Sequence, residues 1–354
     1  MRSSSSVQLT IVGATPDHGS AGFDRAAQYA QHTKRAGADS RFSGSVSLFD
    51  PRAAGFQDPV LVSASGGLGS KLKIAMATGL HEAVGAALVA SVSNALLAHG
   101  GEPLSFHYYH ACSTAEPVIA DRLLAGMAEG CRLSGVSLSG GQSAELPGVF
   151  DAGEYDLAGF ATGMVERPAL LPRFDVAEGD GLLGLAANGA HGHGFAEIRR
   201  IVSGVGLGYR DPAPFAPGLQ LGQALLQPTR AYAMLVRAVL RDTQAVKCAI
   251  PIGEGGISGS LSRVLAPQLA ARIDLGSWRL PPLFQWLKAA GAMGQPELLQ
   301  TFNCGLGMVL VVDKLRMISA LKVLRDLGEK PLAIGALVAR SGGDPVRFSG
   351  ALQG

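Results

Sequence analysis

Short β-branched runs alternate along this chain with stretches whose apolar residues recur at helical spacing, and that alternation restricts it to a mixed α/β (α+β) architecture. Pro59 to Ser65 (PVLVSAS) reads as a strand running into a loop of small residues. Lys71 to Thr78 and Ala83 to His99 read as helices, and Pro103 to Cys112 (PLSFHYYHAC) as an aromatic-rich strand. In Pro117 to Ser134, Ile119, Leu123, Leu124, Met127 and Cys131 keep helical spacing. Val136 to Ser139 predicts a short strand that enters Gly140-Gly141, and Tyr155 to Glu166 another strand. A new unit begins near Asp175, with a strand at Gly181 to Ala187, a helix at Gly194 to Val202 and a Gly/Pro-rich loop from Val205 to Gly222.

At 354 residues the chain exceeds what one core usually organises, so two domains are expected. We divide it into a polar, Gly/Ser-rich segment at 1–55 with a helical stretch from Phe23 to Arg35, an α/β domain at 56–170 and a second at 171–354. Charged residues make up 16% against a usual value of roughly 25%. That sparse charge, beside 47% hydrophobic residues, implies a large core and a substantial subunit interface. The net charge of +2, with no Lys/Arg cluster interleaved with aromatics, gives no support to a nucleic-acid partner. Cys112, Cys131, Cys248 and Cys304 form no CxxC pair and read as reduced, mostly buried thiols, Cys304 as a core residue. The apolar run Val7 to Ala14 is broken by Gln8 and Thr10 and makes a poor signal peptide. Ala83 to Ala98 is shorter than the ~20 residues a membrane span needs. A cytoplasmic protein with no membrane partner is the expectation.

Six stretches stand in order between Arg35 and Ala339: SKLKIA (70–75), GGEPL (100–104), YDLAGFATGMVE (155–166), QPTRAY (227–232), SW (277–278) with FQWL (284–287), and TFNCGLGMV (301–309). As an ordered set they resemble the aminoimidazole ribonucleotide synthetases, the phosphoribosylformylglycinamidine cyclo-ligases of purine biosynthesis. The resemblance implies a two-domain fold whose N-terminal domain pairs across a homodimer and whose C-terminal domain covers the active site. It also implies closure of an imidazole ring on a small-molecule substrate, with ATP activating a formyl oxygen.

Such chemistry needs hard cations held by oxygen ligands, chiefly carboxylates and phosphates. The family's Asp-Gly-x-Gly-Thr-Lys stands here as Gly66-Gly67-Leu68-Gly69-Ser70-Lys71, its Asn-Asp pair as Asn94-Ala95, and an Asp of its aromatic strand as Tyr108. The family's Gly-Gly-Glu-Thr-Ala-Glu-Met-Pro-Gly reads Gly140 to Gly148 with Gln142 for the first Glu and Glu145 for the second. The glycine run before Leu48-Phe49-Asp50 is reduced to Ser43-Gly44-Ser45-Val46-Ser47, and His-Ile-Thr-Gly-Gly-Gly has become Pro251-Ile252-Gly253-Glu254-Gly255-Gly256. Each lost carboxylate–cation contact costs on the order of a few kcal/mol in a partly desolvated site. Standard Mg–ATP use is therefore disfavoured, and no cofactor is assigned.

Imidazole replaces the lost charge. His191 keeps a family position, His193 replaces an Asn, and His107 and His110 replace apolar or aromatic residues. Strand alternation turns Tyr108, His110 and Cys112 to one face and His107 to the other. The candidate catalytic set is His191, His110, His193, Tyr108 and Glu145. Neutral imidazoles suit acid–base work or a transition metal, with His110, His191 and His193 the candidate ligands, and plain pocket lining stays open beside both. The candidate substrate-binding set is Ser65, Gly66, Gly67, Gly69, Ser70, Lys71, Asn94, Gln142 and Ser143: backbone N–H groups and Lys71 for an anion, the amides for a polar neutral group. Three functions stay open: a diverged enzyme acting on an amide, amidine or ribosyl-phosphate without standard Mg–ATP, a non-catalytic paralogue of an active partner, and the ATP-dependent cyclo-ligase itself.

Overall fold

The computed structural model describes residues 20–38 and 44–354. The stretches Met1 to Ser6 and Val7 to Ala14, and Ser43 of the altered glycine run, lie outside them. The N-terminal unit runs α1 (Ser20–Gln31), β1 (Pro59–Gly67), α2 (Lys71–Thr78), α3 (His81–Leu96), β2 (Glu102–Cys112), α4 (Pro117–Ser134), β3 (Ser137–Glu145) and β4 (Tyr155–Glu166). Its sheet has the order β1-β4-β2-β3, with β2 and β3 parallel and the other pairs antiparallel.

The C-terminal unit runs β5 (Gly181–Ala186), α5 (Phe195–Gly204), α6 (Leu221–Leu225), α7 (Ala233–Thr243), β6 (Val246–Pro251), α8 (Gly256–Ser262) and β7 (Leu269–Asp274). It continues with α9 (Pro282–Ala290), α10 (Gln295–Thr301), β8 (Leu306–Val312), α11 (Met317–Asp326), β9 (Leu332–Ala339) and β10 (Val346–Ser349). Its sheet has the order β10-β7-β9-β5-β8-β6, which leaves β10 and β6 as edges. The expected α/β fold is present in both halves. One apolar cluster crosses between them, joining Leu68, Leu72 and Val92 to Phe195, Ile198 and Phe302.

The helix α1 stops at Gln31, short of the expected Arg35. A larger difference concerns Gly140-Gly141, which lie beyond the expected strand Val136 to Ser139 and are found inside β3. The two glycines pair with His107 and Tyr108 of β2, whose rings occupy the space a side chain would need. A Cβ on Gly141 would lie 2.1 Å from the Tyr108 ring, so glycine keeps the strand continuous there instead of breaking it.

The stretch His81–His99 is long and apolar enough to cross a membrane, but 72% of it is buried within the fold. It is a core helix, packed on α4 at glycine contacts. A Cβ on Gly126 would lie 2.0 Å from the Glu82 carbonyl oxygen, and one on Gly85 would lie 2.4 Å from the Leu123 carbonyl oxygen. The two backbones therefore touch, and the pair closes over the inner face of the N-terminal sheet. All four cysteines are buried and unpaired.

Gly126→Ala should lower stability by about 3 kcal/mol, because the added methyl must separate two backbones. The ~1 kcal/mol gained in helix propensity does not offset that. Gly204→Ala, where nothing lies within 4 Å of the new methyl, should change stability by only a few tenths of a kcal/mol to about 1 kcal/mol, in the stabilising direction. Urea melts of both variants check the contrast, and equal effects would refute the α3–α4 contact.

Candidate functional site

The edge strand β1 runs on through Gly66 and Gly67, beyond the expected end at Ser65, and a turn at 68–70 leads into α2. Ser65, Gly66, Gly67 and Gly69 are exposed, and Gly69 takes a left-handed φ of 51° that admits the turn. Lys71, the first residue of α2, turns inward and is fully buried. Its ammonium donates to the carbonyl oxygens of His191 (2.8 Å) and Gln227 (3.2 Å) and lies 5.1 Å from the centre of the Phe195 ring. Burial alone pulls its pKa down to about 7, and no carboxylate opposes the shift.

The Asn94 side chain is engaged at both ends. Its amide donates to the Arg230 carbonyl oxygen (2.7 Å) and its oxygen accepts from the Tyr232 N–H (2.9 Å), so both ends are occupied by the QPTRAY segment. Ser91 Oγ donates to Thr229 Oγ1 at 3.3 Å. Together with Lys71 these groups clasp the C-terminal unit to α2 and α3. Sequence reasoning singled out QPTRAY as a motif but missed its role as the far side of this clasp.

The strand alternation places the β2 side chains as expected. Tyr108, His110 and Cys112 share the inner face and His107 the outer, where its Nε2 and Ser47 Oγ lie 3.0 Å apart. The inner face is packed among the described residues, with Tyr108, His110 and Cys112 all buried. Tyr108 is 9% exposed, and burial pushes its phenol up to about 12. His110 stands edge-on to Tyr155 with ring centres 5.5 Å apart, and its buried Nε2 has no hydrogen-bond partner among the described residues. Burial, reinforced by the nearby His81, holds its pKa down to about 4. His81 in turn shares a 2.9 Å hydrogen bond with Tyr155. Tyr108 and His110 are thus core residues of the N-terminal unit, while Gln142 and Glu145 are exposed and Ser143 is half-buried on β3.

His191 and His193 lie on the turn before α5. His191 has a left-handed φ of 58° and is buried against Tyr232, ring centres 6.2 Å apart. Burial, then the Lys71 charge, drives its pKa down to about 3, so the ring stays neutral. Its carbonyl, not its imidazole, meets Lys71. His193 is exposed to solvent, with Gly253 closing against one side of the ring. That enclosure lowers its pKa, Glu254 pulls it back up, and Arg263 and Lys71 push it down. Gly192, between the two histidines, lies beside Leu68 and Ser91. The cleft between the units is therefore bordered by the turn at 68–70 on one side and by His193 and Glu254 on the other. Glu254 stands in the sequence at Pro251 to Gly256; its nearness to His193 arises only from the fold.

The three candidate metal ligands are not brought together: His110 sits in the core of the N-terminal unit, His191 under Tyr232, and His193 at the cleft. Among the described residues no group of three or more His, Cys, Asp or Glu side chains could hold a metal ion. The positions where the cyclo-ligases carry acids hold Gly66, Ala95, Tyr108 and Gln142, none of them a carboxylate. The residues present do not fit a magnesium–triphosphate site of that kind.

A two-domain α/β chain with a loop-lined cleft between a four-stranded and a six-stranded sheet defines the class. Residues 53–165 match the N-terminal domain of AIR synthase related proteins, and 177–346 match the C-terminal domain. The chain belongs to the AIR synthase-related superfamily. Among solved structures it resembles thiamine-monophosphate kinase from Stenotrophomonas maltophilia K279a, with a TM-score of 0.66 at 18% identity over 93% of this chain and 96% of that one. It resembles the hydrogenase maturation protein HypE in complex with ATP, also at 0.66, with 15% identity over 96% and 94%. E. coli HypE gives 0.60 at 16% identity over 92% and 93%. At such identities the likeness concerns the fold.

The Lys71 clasp has a pH signature. Its pKa lies below the unfolded value, so from about pH 7 up to the ordinary lysine range the unfolded chain holds a proton that the folded chain has released. Stability contributed by this group therefore rises with pH across that window and levels off below it. Lys71→Met should remove that rise in a pH series of urea melts. A variant that keeps the wild-type slope would show that the ammonium is not buried.

Proposed function

We propose that the chain is a diverged AIR synthase-like enzyme that moves a proton on a small amide, amidine or ribosyl-phosphate substrate, without standard Mg–ATP use. The observation that carries this reading is the solvent exposure of His193 on the turn before α5, with the Glu254 carboxylate in its neighbourhood. Of the candidate imidazoles His110, His191 and His193, only His193 reaches solvent, and it does so beside a carboxylate that raises its basicity. An imidazole in that setting can take a proton from a substrate nitrogen and return it, work that typically contributes about 10²–10⁴-fold in rate. The turn at Gly69 and Ser70 beside it offers backbone N–H groups that suit an anionic or carbonyl oxygen. In this reading Lys71 and His191 are positioning residues, since the clasp on the His191 carbonyl fixes the backbone two residues before His193.

A second reading, a non-catalytic paralogue that binds an active partner, draws on Lys71 and Asn94. Both are engaged by backbone groups and unable to meet a ligand without opening the clasp. A third, the ATP-dependent cyclo-ligase, draws on the fold shared with HypE, which was solved with ATP. We further propose that the outer face of the N-terminal sheet pairs with a second copy. Leu61 (60% exposed), Phe160 (47%) and Tyr109 (36%) lie together on it by strand register.

Purified protein should convert formylglycinamidine ribonucleotide or a related ribosyl-phosphate amide, followed by mass spectrometry, to the same extent with and without Mg–ATP. His193→Asn and Glu254→Gln should each reduce the rate by roughly 10²-fold. Strict dependence on Mg–ATP would establish the third reading. No conversion and no binding in calorimetry would leave the second, which capture of an active relative then supports. For assembly, Phe160→Lys should shift the sedimentation mass from dimer to monomer, and a monomeric wild-type chain would refute the pairing.

A further inference from the structure

A cavity of about 1040 Å³ lies in the C-terminal unit between α8, α10 and β10, just above the ~300–1,000 Å³ range of small-molecule sites. It shares only Gly255 with the 253–256 turn. Its origin is local. Gly255, Ser258, Gly259 and Ser262 recur at helical spacing, so α8 shows this space no side chain larger than serine. Opposite stand Leu299 and Gln300 of α10, and the third wall is Asp344 to Phe348.

Two features of that third wall select a ligand. The first is charge. Arg347 is half-buried and donates from Nη2 to the Gly342 carbonyl oxygen, leaving its other N–H groups for a partner. The Asp344 carboxylate meets no hydrogen-bond donor or cation among the described residues. One positive and one negative group thus face the same space. A phosphate would find one cation and be opposed by Asp344, whereas a zwitterion finds both charges answered. The second feature is backbone. Among the described residues β10 is an edge strand that pairs with β7 alone, so its alternate N–H and C=O groups point away from the sheet with no described strand to meet them. A free strand edge is the feature that extended peptides use when they add to a sheet.

We propose that this cavity binds a short zwitterionic peptide, its carboxylate on Arg347, its ammonium on Asp344 and its backbone along the free edge of β10. Pro345 bends the chain between Asp344 and Arg347, and both residues line the space. A tripeptide carries both terminal charges and two amide links for the edge of β10. The Gly/Ser face of α8 leaves room for its side chains, and Leu299 and Phe348 supply apolar contact. This site stands independently of the chemistry proposed for the interdomain cleft.

Titration calorimetry of the full chain with tri-L-alanine should give saturable heat. The same peptide N-acetylated and C-amidated, and inorganic phosphate, should give none. Arg347→Gln and Asp344→Asn should each weaken trialanine binding several-fold, and Ser258→Leu, which fills the cavity from α8, should abolish it. Unchanged thermal melting of the three variants separates loss of the site from loss of the fold; should Ser258→Leu lower the melting temperature, the two charge variants decide. Binding of the capped peptide as tight as the free one, binding of phosphate in place of peptide, binding untouched by the charge variants, or no saturable heat at all would each overturn the proposal.

Discussion

A single ammonium buried without a counter-carboxylate sets the relation between the two halves of this molecule. Removing a charge from water costs several kcal/mol even after relaxation. Lys71 is tolerated because two carbonyl dipoles and the face of Phe195 surround it, and because its pKa has fallen to about 7. Both carbonyls belong to the C-terminal unit, so the ammonium is satisfied only while the units are docked. Asn94 extends the same logic with neutral groups, giving the 230–232 backbone a donor and an acceptor. The interface is thus specified by directional bonds laid across an apolar seam, and the 189–194 turn inherits its position from them.

That position decides which histidine can act. His191 and His193 are two residues apart, yet one is sealed under Tyr232 and the other is open to the cleft. The left-handed φ of His191 turns its carbonyl to Lys71 and its ring into the core. Its low pKa is a by-product of burial and of the neighbouring ammonium. His110 carries the same lesson in the other unit, where packing against Tyr155 and His81 keeps it neutral. A perturbed titration is thus a weaker guide to function here than access to solvent beside a carboxylate.

The sequence made the elements readable where pattern is local. Lys71–Thr78, Pro117–Ser134 and Tyr155–Glu166 have the ends their spacing and flanking residues predict. Alternation along β2 also separated His107 from Tyr108 and His110. What could not be read was whether the inner face was open, because that depends on α3 and α4 approaching at Gly85 and Gly126. The run of β3 through Gly140-Gly141 was hidden for a related reason: only the rings of the neighbouring strand explain the two glycines as sheet. The cleft was legible in part. The stretch Gly66 to Ser70 and His193 stood out by resemblance, whereas Glu254 and the clasp partners Gln227, Thr229 and Arg230 depend on contacts distant in the chain.

The inward turn of Lys71 follows from the acceptors within its reach. These are backbone carbonyls across the domain seam, and among the described residues no carboxylate lies beside the ammonium. The lysine is thereby a structural group. The chemistry proposed for the cleft then rests on imidazole and amide groups, whose strength depends on local enclosure more than on net charge. His193, enclosed by Gly253 on one side and answered by Glu254, is where that enclosure and solvent access meet.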